Sequence, residues 1–455
     1  MSLVTTNPAT GEQLATYDEM SPEEIGQIVG RAHEAWLDWK QTSFDERATL
    51  VRKLAAILRE DQERLAALMT REMGKPIAQA RAEVEKCAIG CDHYAEHAAS
   101  DLAPEMKATD ASKSYVTFRP LGVVLAVMPW NYPFWQVLRF AAPALMAGNA
   151  AVLKHAENVT GCALAIEELF QRAGFPDGLF RTLRVKSSNV EPIIANRKVA
   201  AVTLTGSTAA GQAVAAVAGA NVKKTVLELG GSDPYLILED ADLGKAVAAC
   251  AQGRLQNTGQ SCIAAKRFIV VDAVREAFQQ QLIEAFKGYA MGDPMDEASD
   301  LGPLARVDLR DQLHEQVRQS VNAGAEVLLG GTLPESPGAW YPPTILGSVV
   351  PGMPAYDEEM FGPVAAVIAA KDEEDAIRIG NDTIYGLGGA VFTEDLERGE
   401  KIAAERIEAG SCFVNAFVKS DPRIPFGGVK ASGYGRELSE FGIREFVNIK
   451  TVYIA

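Results

Sequence analysis

Hydrophobic and polar positions follow two different rhythms along this 455-residue chain. From Ser21 to Ala99 apolar residues recur at helical spacing among many charged ones, which predicts two or three amphipathic helices. Ser21-Pro22-Glu23-Glu24 opens the first, with proline at the first helical position and acids in the first turn. Met73-Gly74-Lys75-Pro76 interrupts the pattern, and a further charged helix is predicted from about Ile77 to His97. A polar connection, Ser100 to Lys113, leads into an alternating, strand-like stretch, Ser114 to Arg119.

From Gly122 the rhythm changes to short unbroken apolar runs: Val123–Met128, Ala150–Lys154, Val199–Thr205 and Thr225–Leu229. Such runs are expected of strands covered on both faces. Helices are predicted between them at about Phe134–Met146 and Thr160–Ala173, with an alanine-rich helix after Gly211. Strands alternating with helices at this spacing predict a parallel, doubly wound α/β sheet. Tyr235–Leu238, Phe268–Val271, Ala365–Ala369, Gly389–Phe392 and Ser411–Asn415 repeat the alternation and predict a second α/β domain. The last run, Phe446–Ala455, reads as a strand that joins Ser114–Arg119 or a neighbouring subunit's sheet edge.

Composition narrows the class of partner. A net charge of −16, without any Lys/Arg cluster, argues against nucleic acid. The N-terminal stretch has no signal-peptide pattern, and no apolar run reaches the ~18 residues of a membrane span, so a cytoplasmic protein is expected. The six cysteines, at 87, 91, 162, 250, 262 and 412, have neither disulfide nor paired zinc spacing, which fits a reducing compartment. Cys87 and Cys91 lie near His93 and His97, but nothing completes a tetrahedral metal set.

Candidate chemistry gathers at predicted strand ends, where doubly wound sheets bind ligands. Cys262 sits in the small, polar run Gln256–Ala265, followed by Lys266 and Arg267, a basic pair expected to favour a thiolate. Its alternative role is that of a small packing residue. Gly206-Ser207 lies between a strand and a helix, suited either to a phosphate or simply to a tight turn; the spacing is not GxGxxG. Lys154 and Glu157 are placed to bond ribose hydroxyls, with Glu157 alternatively easing a helix dipole. Glu228, flanked by leucines, fits a general base with a raised pKa or a buried ion pair. Asn131 offers an oxyanion-hole amide or is a turn residue. Trp135 and Arg139, four apart on one helix, suit a small ligand ending in a carboxylate; a surface or interdomain salt bridge is the other reading of Arg139.

Six motifs occur in order: Pro-Trp-Asn at 129–131, Thr-Gly-Ser at 205–207, Glu-Leu-Gly-Gly at 228–231, Gly-Gln-Ser-Cys at 259–262, Glu-Met-Phe-Gly-Pro at 359–363 and Pro-Phe-Gly-Gly at 425–428. Together they resemble the NAD(P)-dependent aldehyde dehydrogenase superfamily along essentially the whole chain. Ser261–Phe268 and Lys419-Ser420-Asp421-Pro422-Arg423 resemble its shorter bacterial succinate-semialdehyde dehydrogenases. The resemblance implies two doubly wound α/β domains with a small β oligomerisation arm. The expected division is 1–101 with 121–230 for the dinucleotide, 231–427 for catalysis, and 102–120 with 439–455 for oligomerisation into a homodimer or homotetramer.

The resemblance also implies roles. Cys262 attacks the aldehyde, Asn131 and the Cys262 N–H hold the oxyanion, the nicotinamide accepts hydride, and Glu228 activates water against the thioester. Trp130, Lys154, Glu157, Gly206, Ser207, Glu359 and Phe361 are expected around the cofactor. Trp135, Arg139 and Ser420 are expected around the substrate, with no metal. Glu157 predicts NAD preferred over NADP, with NADP still usable, because its carboxylate repels a 2′-phosphate. His155 departs from the proline usual after that lysine. Glutarate semialdehyde, an uncharged aliphatic aldehyde, or a non-catalytic role on the same fold are the alternatives.

Overall fold

A computed structural model describes residues 2–455. Its first sheet has six strands in the order Gly433–Tyr434, Lys224–Glu228, Val199–Thr205, Val123–Met128, Ala150–His155, Phe180–Thr182. All are parallel except the two-residue edge strand Gly433–Tyr434. Register decides what this sheet presents. Val127 lies opposite both Lys154 and Leu204, and Thr205 opposite Glu228. The chain therefore leaves neighbouring strands at one level, delivering Trp130-Asn131, Lys154, Gly206-Ser207 and Glu228 to one edge.

The second sheet has seven strands, ordered Glu326–Leu329, Thr344–Gly347, Val364–Ala370, Ala265–Val271, Asp233–Ile237, Gly388–Phe392, Ser411–Val414. It is parallel except for the edge strand Glu326–Leu329. A third sheet pairs Val447–Ile454 with Lys113–Pro120 along its full length, and Lys113–Pro120 with Glu105–Met106. The N-terminal hairpin, Ser2–Thr6 with Gln13–Asp18, is absent from the sequence prediction.

The amphipathic N-terminal region forms four helices, Pro22–Trp39, Phe44–Glu60, Gln62–Met73 and Ile77–Asp101. Ser21 and Ser43 each close a capping box with the glutamate three residues on, which satisfies two orphan donors at each helix start. The helix Trp135–Met146 is buried along every one of its residues. On a helix without a wet face a polar side chain needs an internal partner: Arg139 has one in Glu437, while Gln136 Oε1 has none among the described residues. Cys87 and Cys91 are buried on Ile77–Asp101, and the described residues contain no cluster suited to a metal ion. No described helix is long and apolar enough to cross a membrane.

Candidate active site

Two cavities meet at Cys262, the single residue common to their linings. The larger, about 510 Å³, runs along the carboxyl edge of the first sheet past Trp130, Asn131, Gly206, Ser207, Glu359 and Phe361. The smaller, about 280 Å³, is walled by Trp135, Arg139, Ser420, Phe417 and Phe426, with Lys86 among them.

The cysteine reaches this junction on a tightly tied loop. After the helix Leu243–Leu255, Asn257 and Thr258 adopt left-handed backbone, at φ 54° and 53°. The Asn257 amide holds that turn by donating to the carbonyls of Asn131 (2.8 Å) and Gln260 (3.1 Å). The Asn131 amide itself donates to the Gln260 carbonyl at 3.1 Å, so this side chain and the cysteine loop are fixed to each other. Gly231 lets the loop close: a Cβ there would lie 2.7 Å from the Cys262 carbonyl oxygen.

The basic pair does not play the part its position suggests. Buried Lys266 donates to the carbonyls of Ser261 (3.1 Å), Cys262 (2.8 Å) and Ala264 (3.3 Å), and its ammonium lies 3.6 Å from Glu359. Arg267 turns away, donating to the carbonyls of Ser232, Ile379 and Gly380. Burial pushes the Cys262 thiol up to about 12, against the opposing pull of Arg139 and Lys266. The expectation of a thiolate favoured by Lys266 and Arg267 is therefore corrected: desolvation outweighs both charges, and Lys266 staples the loop.

Glu228 ends its strand fully buried, lining neither cavity but close enough for its charge to act on Cys262. Burial, with Glu437 beside it, pushes its carboxyl well above the ordinary range. Neither oxygen has a hydrogen-bond partner among the described residues. Gly427, at φ 153°, leaves it room, since a Cβ there would lie 2.7 Å from Oε1.

On the larger-cavity side, Ser207 caps the helix Thr208–Ala220, its Oγ accepting from the Ala210 N–H at 3.3 Å. The free first-turn N–H groups beside Gly206 face the cavity, where they suit a pyrophosphate. Trp130 and Phe361 meet edge to face at 5.7 Å between ring centres. Glu359 accepts from the Gly231 N–H at 2.9 Å. Lys154 donates to Ser187 Oγ at 3.0 Å, and Glu157 faces the Ser187 N–H at 3.4 Å. These two lie outside the lining of the 510 Å³ cavity, although Glu157 still acts on the Lys154 ammonium.

His155 resolves its departure from proline. Burial holds it down to about 4, so the ring is neutral. The Ala156 N–H donates to Nδ1 at 2.9 Å, which leaves Nε2–H to donate to the Pro133 carbonyl at 2.9 Å. The imidazole thus ties the end of the Ala150–His155 strand to the turn that carries Trp130 and Asn131.

On the smaller-cavity side, Arg139 is not the free guanidinium that bidentate recognition of a ligand requires. It is buried in an ion pair with Glu437 and reaches Thr205 Oγ1 at 3.5 Å, so the salt-bridge reading describes its present state. Trp135 packs against Gly90, and its N–H, like that of Phe134, donates to Glu83. Lys75 pairs with Glu83. Lys86 donates to Ser420 Oγ at 2.7 Å and stands 4.6 Å above the Trp135 ring. Sequence reasoning missed this helix face. Its signal was present: Gln79, Ala82, Glu83 and Lys86 follow i, i+3, i+4, i+7 spacing and all line the cavity.

A nucleotide-sized cleft and a smaller pocket sharing one cysteine, on paired parallel sheets, have the layout of a cofactor-dependent enzyme. The chain belongs to the aldehyde dehydrogenase family, whose sequence profile matches residues 2–452. It is 50% identical over all of both chains to the probable succinate-semialdehyde dehydrogenase [NADP(+)] of Synechocystis. It is 49% identical, over 99% of this chain and 97% of the other, to the succinate semialdehyde dehydrogenase [NAD(P)+] of Escherichia coli. The crystal structure of succinic semialdehyde dehydrogenase from Streptococcus pyogenes with NADP+ superposes at a TM-score of 0.97, with 39% identity and 99% of each chain covered.

Proposed function

We propose that this enzyme oxidises succinate semialdehyde to succinate with NAD(P), and that it prefers NAD. The observation that carries the reading is that Cys262 alone lines both cavities, with the second lined by Arg139, Ser420 and aromatic rings. The names of its relatives support the same substrate.

The first cavity fits a dinucleotide: helix N–H donors lie at Ser207, aromatic rings at Trp130 and Phe361, and a buried carboxylate at Glu359. Bound there, the nicotinamide supplies a two-electron hydride acceptor. The remaining steps belong to the protein. Cys262 gives up its thiol proton to solvent water as Sγ bonds to the aldehyde carbon, and the carbonyl π pair moves to oxygen, where the Asn131 amide and the Cys262 N–H stabilise it. Collapse of that oxyanion expels hydride and leaves a thioester. Glu228, whose oxygens have no partner among the described residues, takes a proton from the water that attacks the thioester and returns it to the departing sulfur, freeing the thiol. Glu157 gives the NAD preference, through repulsion of a 2′-phosphate beside Lys154.

We read residues 1–101 with 121–230, 231–427, and 102–120 with 439–455 as the cofactor, catalytic and oligomerisation parts of a cytoplasmic homo-oligomer. Exposed Met106, Ile449 and Tyr453 on the third sheet support a covered edge. A rate panel tests the substrate. The enzyme should favour succinate semialdehyde over butanal by at least tenfold in kcat/KM, and over glutarate semialdehyde by less; parity with butanal rules the assignment out.

A further inference from the structure

Charge in the smaller cavity is almost entirely spoken for. Lys75 is paired with Glu83, which also receives the Phe134 and Trp135 N–H groups. Arg139 is paired with Glu437. Asp421, the residue after Ser420 and outside the cavity lining, is held by Arg423 at 2.6 Å. Lys419 lines the rim but is exposed. Lys86 differs from all of these. It is half-buried, it forms no ion pair among the described residues, and its one hydrogen bond goes to the neutral hydroxyl of Ser420. Only the carboxylates of Glu83 and Asp421, both engaged elsewhere, act on it from beyond ion-pair distance; a cation so placed and partly out of water is costly, and an anionic ligand relieves that cost. Trp135, below the ammonium, and Phe417 and Phe426 leave little room for bulk water to do the same.

Resting on the proposed substrate class, we propose that Lys86, with Ser420, binds the distal carboxylate of the aldehyde and sets the preference for a charged substrate, while Arg139 stays engaged by Glu437. The Lys86–Ser420 pair lies on the lining of the cavity that ends at Cys262, so a ligand with its carbonyl at the sulfur extends toward it. Two donors, an ammonium and a hydroxyl, match the two oxygens of a carboxylate. Burial and nearby Arg139 hold the ammonium down to about 8, a state that an incoming anion would reverse.

The test compares full-length wild type with Lys86→Met at saturating NAD, using succinate semialdehyde and butanal. KM for succinate semialdehyde should rise about 30-fold or more while butanal changes less than about 3-fold, and Lys86→Arg should restore most of the discrimination. A purely structural lysine would move both substrates together, and that outcome, or an unchanged succinate semialdehyde KM, overturns the assignment. Lys86→Gln gives the same readout should the methionine variant misfold. If wild type itself treats the two aldehydes alike, the substrate assignment falls and this one with it. Preference in wild type retained by Lys86→Met removes Lys86 alone.

Discussion

The two cavities flanking Cys262 are built from different parts of the polypeptide. The larger joins strand ends of one parallel sheet, with backbone N–H groups at Gly206-Ser207 and turns such as Pro129–Asn131, to side chains of the helix Val307–Asn322 and of Glu359 and Phe361. The smaller is made of side chains from three segments far apart in sequence: the face of Ile77–Asp101 with Lys86, the buried helix with Trp135 and Arg139, and the loop with Phe417 and Ser420. A phosphate site made of main-chain donors tolerates side-chain change and takes a common ligand. One built of side chains carries the discrimination between substrates and can lose it with one residue.

Between the two stands the chemistry, and the largest effect is expected there. Glu228→Gln keeps the shape of the side chain but cannot accept a proton, so kcat should fall about 10³-fold with both aldehydes. Cofactor KM should barely move. A loss under tenfold would show that a different base serves the junction.

The next effect separates desolvation from charge at the thiol. With Cys262 pushed up to about 12, its thiolate fraction grows tenfold per pH unit throughout the neutral range. Alkylation of the cofactor-free enzyme by iodoacetamide, corrected with Cys262→Ser, should therefore quicken about a hundredfold from pH 7 to 9. A plateau below pH 8 would mean that Lys266 and Arg139 dominate after all.

A smaller change should appear beyond the lining of the larger cavity, at the strand end that carries Lys154 and Glu157. Glu157→Gln removes the charge that opposes a 2′-phosphate, and should raise the NADP-to-NAD ratio of kcat/KM about tenfold. An unchanged ratio would place cofactor choice elsewhere.

Legibility in the sequence follows the same divide. Parallel strands buried on both faces, such as Val123–Met128 and Val199–Thr205, are unbroken apolar runs, and their ends point to the cofactor edge without any tertiary information. Wet-faced strands are legible unevenly: Ser114–Arg119 and Phe446–Ala455 read as strands, whereas the largely exposed hairpin of Ser2–Thr6 and Gln13–Asp18 and the short antiparallel edge Glu326–Leu329 do not stand out. Lys86 reads locally as one more charge on a charged helix. Only packing against Trp135 and Ser420, 49 and 334 residues away, turns it inward. For Arg139 the spacing pointed to the right cavity but could not reveal Glu437, which arrives from the C-terminal segment. The raised thiol pKa was hidden for the same reason, because burial is a property of the fold and the basic neighbours are a property of the sequence.

The smallest effect tests the backbone-built side directly. Ser207 Oγ is already engaged as a helix cap by the Ala210 N–H, so pyrophosphate would rest mainly on main-chain donors. Ser207→Ala should cost about 1 kcal/mol of stability, and Ser207→Gly only a few tenths, because glycine leaves the cap open to water. Cofactor KM should shift less than about 3-fold in either, a size set by one peripheral hydrogen bond at most. Thermal unfolding and cofactor titration measure the two quantities on the same samples. If Ser207→Gly weakened cofactor binding 30-fold, the hydroxyl would be carrying the phosphate, and the contrast between a main-chain site on one side of Cys262 and a side-chain site on the other would not hold.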